Sequence, residues 1–236
     1  MRSLLFWVLL PLLLPQALYV RKNAPRFAPA DGPSNGTLGY GKQARLLAIG
    51  DSIIAGVGAT TLSNALVGQT ATALATLLDG GVNWQALGVS GYSSEKVLNR
   101  LLPKLPETKF DYVILSVGVN DVTGLTTLRQ WRRNLNFLLS RLQAHSPDAV
   151  IAVAGLPPLH GFPLLPQPLR AVFGMRGRTF DEELRKILEG LPNCVYAPLD
   201  FDPDPSQFAP DGYHPSEESY AVYGQHLADK LIKANI

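Results

Sequence analysis

Apolar and polar positions along this 236-residue chain alternate between short continuous runs and longer segments of helical period. Arg45–Ile49, Val82–Leu87, Asp111–Val117, Ala149–Ala154 and Val195–Leu199 are the short runs and predict strands. The third is almost wholly apolar, as a strand covered on both faces requires. Between them, Asn64–Leu78 predicts a helix closed by Asp79-Gly80-Gly81, and Ser94–Leu102 one that stops before Pro103. Thr127–Leu142 carries Leu128, Trp131, Leu135, Leu138, Leu139 and Leu142 at three- and four-residue spacing, an amphipathic stripe. Thr179–Leu188 predicts a further helix. Ser216 caps a last one running to about Lys233, with Glu217 and Glu218 early and Lys230 and Lys233 late, as the helix dipole favours. Strand–helix alternation of this kind predicts an α/β fold, a three-layer α/β/α sandwich around a parallel sheet of about five strands.

The N-terminus breaks the pattern. Arg2 precedes an apolar run from Leu4 to Val20, interrupted by Pro11, Pro15 and Gln16 and followed by Arg21, Lys22 and Arg26. Residues 1–22 read as an export signal or a membrane anchor, at about the minimum length for a bilayer span. No small-x-small cleavage site follows closely, because Ala28-Pro29-Ala30 lies beyond the basic cluster. An uncleaved anchor is therefore preferred over a cleaved signal, and the protein is expected to be membrane-anchored or exported (periplasmic or secreted). The basic flank favours the cytoplasmic side while the export-like start opposes it, so either membrane face stays open. Pro, Gly, Ala, Ser and Asn dominate residues 23–42, which read as a linker to a single domain over 43–236.

Composition narrows the function classes. At 46% apolar and 17% charged, the chain has ample material for a core. A net charge of +2, with no dense basic face interleaved with aromatics, argues against nucleic acid as a partner. Arg129, Arg132 and Arg133 read as a solvated helix face. The single Cys194 excludes an intrachain disulfide and a cysteine-rich metal site, and four scattered histidines offer no metal-ligand set. No lysine follows Gly56 or Gly58 at the spacing of a phosphate-binding loop. No cofactor is expected.

Leu46-Leu47-Ala48-Ile49 stops at Gly50-Asp51-Ser52, a strand feeding a tight turn with a serine at its tip. In parallel α/β sheets ligands bind beyond the carboxyl ends of the strands. Ser52 follows the first predicted strand, Gly91 the second, Asn120 the third, and the Asp211–His214 loop comes after the fifth. A serine hydroxyl needs a base to take its proton as it attacks. His214 is the best base on offer, because Asp211, three residues earlier on the same short loop, can hold the ring and its tautomer. The order Ser…Asp…His matches α/β-hydrolases, yet no Gly-x-Ser-x-Gly elbow surrounds Ser52, and acid and base share one loop. An oxyanion would find donors in the backbone N–H groups of Ser52 and Gly91 and the Asn120 amide. Gly88, nearer the strand end, rivals Gly91. Asp51 and Asp121 read as structural, His145 as a favourable charge at a helix end, and His226 as packing or surface.

Gly50-Asp51-Ser52-Ile53, Gly91, Gly118-Val119-Asn120-Asp121 and Asp211-Gly212-Tyr213-His214, in this order, resemble the blocks of the SGNH hydrolases, also called GDSL esterases/lipases. Ile53 stands where leucine would complete the family's nickname, an apolar exchange. The resemblance runs from Gly50 to Pro215. It implies a flavodoxin-like fold, Ser52 as nucleophile, Gly91 and Asn120 as oxyanion donors with the Ser52 N–H, and His214 as base oriented by Asp211. The expected activity is that of a serine esterase. It would hydrolyse carboxylic (acyl or aryl) esters, extending to thioesters or lysophospholipids, through an acyl-enzyme. Its expected partners are a small-molecule ester and, through the N-terminal segment, a membrane. A carbohydrate O-acetylesterase or an acyltransferase of the same fold are the alternatives. A non-catalytic lipid- or glycan-binding protein is a third, against which the intact Ser52, Asn120 and His214 count. Gly155–Arg178, with five prolines among apolar residues and His160 in their midst, is either an apolar wall or partial lid for an acyl chain, or a loop packed on the domain.

Overall fold

The computed structural model describes residues 2–199 and 204–234. All five predicted strands form within two residues of their expected ends: β2 (Gln43–Gly50), β3 (Gly81–Gly88), β4 (Tyr112–Ser116), β5 (Val150–Ala154) and β6 (Cys194–Ala197). They are mutually parallel, in the order β3-β2-β4-β5-β6, and helices cover both faces. The expected three-layer sandwich is the observed one. Its centre is fully dry, with Leu46 to Ile49 and Ile114 to Leu115 wholly buried.

Among the described residues the sheet has a sixth strand, and it comes from the stretch read as linker. β1 (Asn35–Leu38) pairs antiparallel with β3, from Asn35 opposite Gln85 to Leu38 opposite Val82. The residues before it are equally engaged. Ala30 N–H donates to the Ala55 carbonyl (3.0 Å), Asp31 N–H to Thr60 (3.0 Å), and Leu62 N–H to Asp31 (3.0 Å). The Ala86 N–H donates to Ser34 (2.8 Å). Residues 30–38 thus form a strap over the turn that bears Ser52 and along the sheet edge. Composition missed it because the strap is held by backbone hydrogen bonds, which any sequence without a bulky demand can make.

The first helix, α1 (Arg2–Asn23), contains a stretch, Leu5–Asn23, long and apolar enough to cross a membrane. α2 (Leu66–Leu78) and α7 (Glu217–Lys233) pack together on one face of the sheet. The helix predicted from Ser94 is a short α3 (Ser94–Lys96) that continues as a π turn, Val97–Leu101, and a 3₁₀ turn, Leu102–Lys104. α4 (Val119–Thr123) is a single turn after β4. α5 (Leu128–His145) starts at a capping box between Thr127 and Gln130 and buries the predicted stripe, Trp131, Leu135, Leu138, Leu139 and Leu142. α6 (Leu169–Leu188) begins ten residues ahead of the predicted Thr179, inside the proline-rich segment. Gly174 and Gly177 hid it by lowering helix propensity. They are there because the Leu159–Gly161 turn lies against that helix face.

α1 docks on α6. Phe6 and Leu13 are buried, and the Gln16 amide donates to the Gln167 carbonyl (2.8 Å) and accepts the Leu169 N–H (3.1 Å). Phe6 also covers the buried Arg176 guanidinium, 4.1 Å from the ring centre. Much of the remaining surface of α1 is apolar and exposed, including Val8, Leu12 and Leu18.

A chain beginning at Gln43 lacks β1 and the strap; one beginning at Ala24 keeps both. At about 0.5–1.5 kcal/mol per hydrogen bond, with 2–4 °C per kcal/mol at this size, the shorter chain should melt at least about 4 °C lower. Thermal unfolding of the two by circular dichroism measures the difference, and equal midpoints would mean that the strap adds nothing.

Candidate active site

Three strand ends meet at one level. Gly50, last in β2, pairs with Gly88 of β3 on one side and Ser116 of β4 on the other. β2 is also where the strand order reverses direction, the crevice at which open α/β sheets bind ligands. A Cβ on Gly50 would sit 2.0 Å from the Ser116 carbonyl oxygen, so the close approach admits only glycine. The chain then turns at once. Asp51 N–H donates to that same oxygen (3.1 Å), and the Ala55 and Val57 N–H groups bond back to Asp51 and Ser52 (3.0 Å each). The turn carries Ser52 to the edge of the sheet.

The Ser52 hydroxyl meets His214. Its Oγ is 3.0 Å from His214 Nε2, and His214 Nδ1 is 2.6 Å from Asp211 Oδ2. The other Asp211 oxygen accepts the N–H groups of Tyr213 and His214 (2.9 Å each). Shielding is graded: the Asp211 side chain is 1% exposed and that of His214 14%. Burial alone would raise the Asp211 carboxyl, but the hydrogen bonds from His214 and the two backbone donors outweigh it and hold the group below the usual carboxylate range.

The proline-rich segment lies behind this loop. Phe162 is buried with its ring edge-on to Tyr213 (5.1 Å) and Phe208 (5.4 Å), and Leu164 N–H donates to the Gly212 carbonyl (3.1 Å). Leu156, Leu159 and Leu165 are buried too. Of the two readings of Gly155–Arg178, the packed one holds. Its first part buttresses the acid–base loop, and its second part is α6.

Gly91 is exposed at φ +78°, and a Cβ there would meet nothing within 4 Å. Gly88 is wedged under the Ser52 turn, where a Cβ would lie 2.3 Å from the Ala55 nitrogen. Of the two, Gly91 is the one that faces open space. Asn120 reaches across from α4: its Nδ2 donates to the Tyr92 carbonyl (3.1 Å) and lies 3.5 Å from Asp51 Oδ2. Ser52, Gly91, Asn120, Asp211 and His214 therefore sit on one rim, with Ser52, His214 and Asp211 in direct sequence of contact.

Asp51 was read as structural, and its position is more consequential than that reading conveyed. It is 3% exposed, and its carboxylate accepts the Ile53 N–H (3.3 Å). Burial raises its carboxyl to about 7; the Ile53 N–H and His214 oppose the shift and Asp121 adds to it. The phenol of the half-buried Tyr213 is also pushed up, first by burial and then by Asp51. That Asp51 and Tyr213 meet is not encoded in the spacing of residues 51 and 213. The remaining histidines lie elsewhere. His145, in the last turn of α5, bonds to Ser146 Oγ (2.9 Å) and the Pro106 carbonyl (2.7 Å), which makes it a tether between segments. His160 is exposed in the Leu159–Gly161 turn, and His226 is within α7. Among the described residues no group of three or more His, Cys, Asp or Glu converges to hold a metal ion.

Residues 48–222 match the GDSL-like Lipase/Acylhydrolase family. A GDSL-like esterase of Mycobacterium tuberculosis is 30% identical over 130 residues, 52% of this chain and 40% of that protein's length. Among solved structures, a family 3 carbohydrate esterase of Clostridium thermocellum superposes with a TM-score of 0.64 at 18% identity, covering 81% of this chain and 96% of that one. A lipase from a goat rumen metagenome gives 0.63 at 18% identity, covering 81% and 97%. These two likenesses are likenesses of fold.

The raised Asp51 carboxyl has a thermodynamic sign. Folding favours its protonated form, so its contribution is fully present below the ordinary carboxylate range and is lost as pH rises through about 7. Asp51→Asn cannot titrate. The melting temperature of this variant minus that of the wild type should grow more positive from about pH 5 to about pH 8. A constant difference across that range would contradict the assignment.

Proposed function

This chain belongs to the GDSL-like lipase/acylhydrolase family, and from that premise we propose that it is a serine esterase acting through Ser52, His214 and Asp211. Membership makes it a hydrolase acting on esters. The observation that supports the finer reading most is the unbroken relay from Ser52 Oγ to His214 Nε2 (3.0 Å) and from His214 Nδ1 to Asp211 (2.6 Å).

In this reading His214 Nε2 takes the Ser52 proton as Oγ attacks the ester carbonyl. Asp211, kept ionised by its donors, holds the imidazole and stabilises the imidazolium that forms. The carbonyl oxygen, now negative, lies among the N–H groups of Ser52 and Gly91 and the Asn120 amide. His214 then gives the proton to the departing alcohol, leaving an acyl group on Ser52. Water, deprotonated by the same imidazole, attacks the acyl-enzyme and releases the acid.

The acyl group is short. The apolar residues of 155–168 that would have walled an acyl chain (Leu156, Leu159, Phe162 and Leu165) are turned inward against the domain. That burial favours the second reading, an O-acetylesterase acting on a carbohydrate, over a lysophospholipase. α1 serves as a membrane anchor in this proposal, since its 19-residue apolar stretch ends in basic residues and leaves much apolar surface exposed. The hydrolase domain then starts at the strap, near Ala30.

The full-length chain and its Ser52→Ala variant, assayed on p-nitrophenyl esters from acetate to palmitate, test this. Ser52→Ala should lose at least about 10³-fold in kcat, and Asn120→Ala about 10²–10³-fold. The wild-type optimum should fall at acetate or butyrate. A folded wild type inert on every ester would overturn the esterase reading, and an optimum at long chains would overturn the short-acyl one.

A further inference from the structure

Asp121 follows Asn120 directly and is completely buried. Both its carboxylate oxygens are taken by one residue of a different loop. Ser94 N–H donates to Oδ2 (2.8 Å) and the Ser94 hydroxyl to Oδ1 (2.6 Å). Ser94 Oγ in turn accepts from Asn134 Nδ2 of α5 (3.0 Å). Burial raises the Asp121 carboxyl, and the two Ser94 donors and then the Thr126 side chain oppose that shift.

Ser94 is three residues past Gly91. Between them Tyr92 rests partly against the core, while Gly91 itself is left without packing. Gly91 is exposed, in a left-handed conformation, and has no packing partner within reach of a Cβ. Its orientation therefore depends on hydrogen bonds at either side: Tyr92 N–H to the Val89 carbonyl (3.2 Å), Asn120 Nδ2 to the Tyr92 carbonyl (3.1 Å), and the Ser94 pair to Asp121. The Asp121 side is itself braced. Its carbonyl accepts the Thr126 N–H (3.0 Å), closing a turn that holds Leu125 at φ +64°, and Arg176 Nε donates to the Val122 carbonyl (3.0 Å).

We propose that Asp121 is a positioning residue of the oxyanion site: by holding Ser94 it fixes where the Gly91 N–H points relative to the Asn120 amide. The proposal rests on the reading of Gly91 and Asn120 as oxyanion donors. Preorganised donors act by geometry, and a misplacement of about 1 Å can cost about 10²-fold in rate. Substrate binding in the ground state asks less of that geometry, so Asp121 acts on turnover more than on KM.

Full-length variants assayed on p-nitrophenyl acetate test this, with kcat and KM measured separately and thermal unfolding as the fold control. Asp121→Asn turns an acceptor oxygen into a donor facing Ser94. It should lower kcat about 10–100-fold while KM stays within about 3-fold. Ser94→Ala, a smaller lesion in case Asp121→Asn fails to fold, should lower kcat about 3–10-fold, and Ser94→Thr, which keeps the hydroxyl, should retain most of it. Asp181→Asn is the control for general loosening. Asp181 is buried and bonded to Leu156 N–H (2.9 Å) and the Tyr196 hydroxyl (2.9 Å), remote from the Gly91 loop in its contacts. It should lose stability with kcat unchanged. If Asn120→Ala loses kcat while Asp121→Asn and Ser94→Ala keep it, the positioning role is wrong and the oxyanion reading stands. An equal loss of kcat in Asp181→Asn would also overturn it. If Asn120→Ala itself keeps full kcat, the oxyanion reading fails and takes this proposal with it.

Discussion

The approach of β2 to β4 at Gly50 governs the rest of the molecule. A methyl group at that position would collide with the Ser116 carbonyl, so the two strands end side by side only because residue 50 has no side chain. From this height the chain can turn within one residue and place Ser52 above the sheet. The neighbouring ends, Gly88 and Ser116, launch the Gly91 and Asn120 loops from the same level. Parallel pairing sets the direction of all three, and the register sets their height. The site is in this sense a property of the sheet before it is a property of any side chain.

Two carboxyl groups flank the imidazole, and their surroundings divide the labour between them. Asp211 receives three hydrogen bonds, from its own loop's backbone and from His214, and stays ionised below the usual range. Asp51 is also buried, its donors include the Ile53 N–H (3.3 Å) and the Asn120 amide (3.5 Å), and its carboxyl rises to about 7. Burial raises both groups; at Asp51 it prevails over the donors, with Asp121 adding to it, whereas at Asp211 the donors prevail. In the proposed reaction, a fully charged Asp51 would compete with Asp211 for the imidazolium and with the oxyanion for the Asn120 amide, which lies 3.5 Å from it. With the Asp51 carboxyl raised to about 7, that competition weakens as pH falls below neutral. Two carboxyls beside one base acquire different protonation states this way.

What could be read from sequence was whatever has a period or a fixed local spacing. The strands were legible because burial on both faces makes them continuous apolar runs, and the α5 stripe because it repeats at three and four residues. Asp211 and His214 were legible as a pair since three residues of loop suffice to bring them together. The strap at 30–38 was not, because its bonds are backbone to backbone and its proline- and glycine-rich composition is the one that linkers share. The start of α6 was obscured by two glycines whose reason is tertiary: the Leu159–Gly161 turn packs against them. Phe162 illustrates the same limit. Its apolar character was visible, but whether it faced a ligand or the back of the His214 loop depended on a chain reversal that no local signal encodes.

The three loops at the rim are held by three different kinds of force, and this has a consequence for how the site responds to change. Ser52 rides on a turn clamped between strands and covered by the strap, so its position is as firm as the sheet. His214 and Asp211 are fixed by saturation of a carboxylate and by the Phe162 ring behind Tyr213, a mixture of hydrogen bonding and packing. The Gly91 loop leaves β3 at Gly88 and rests Val89 and Tyr92 against the core, but its tip at Gly91 is exposed without packing and is placed by hydrogen bonds to Val89 and to α4. Packing tolerates small adjustments by spreading them over many weak contacts. A loop held by a few directional bonds does not, because each bond lost is a large fraction of its support. Among the groups around Ser52, the Gly91 N–H is therefore the least redundantly held, and its geometry is the first that damage at the rim would disturb.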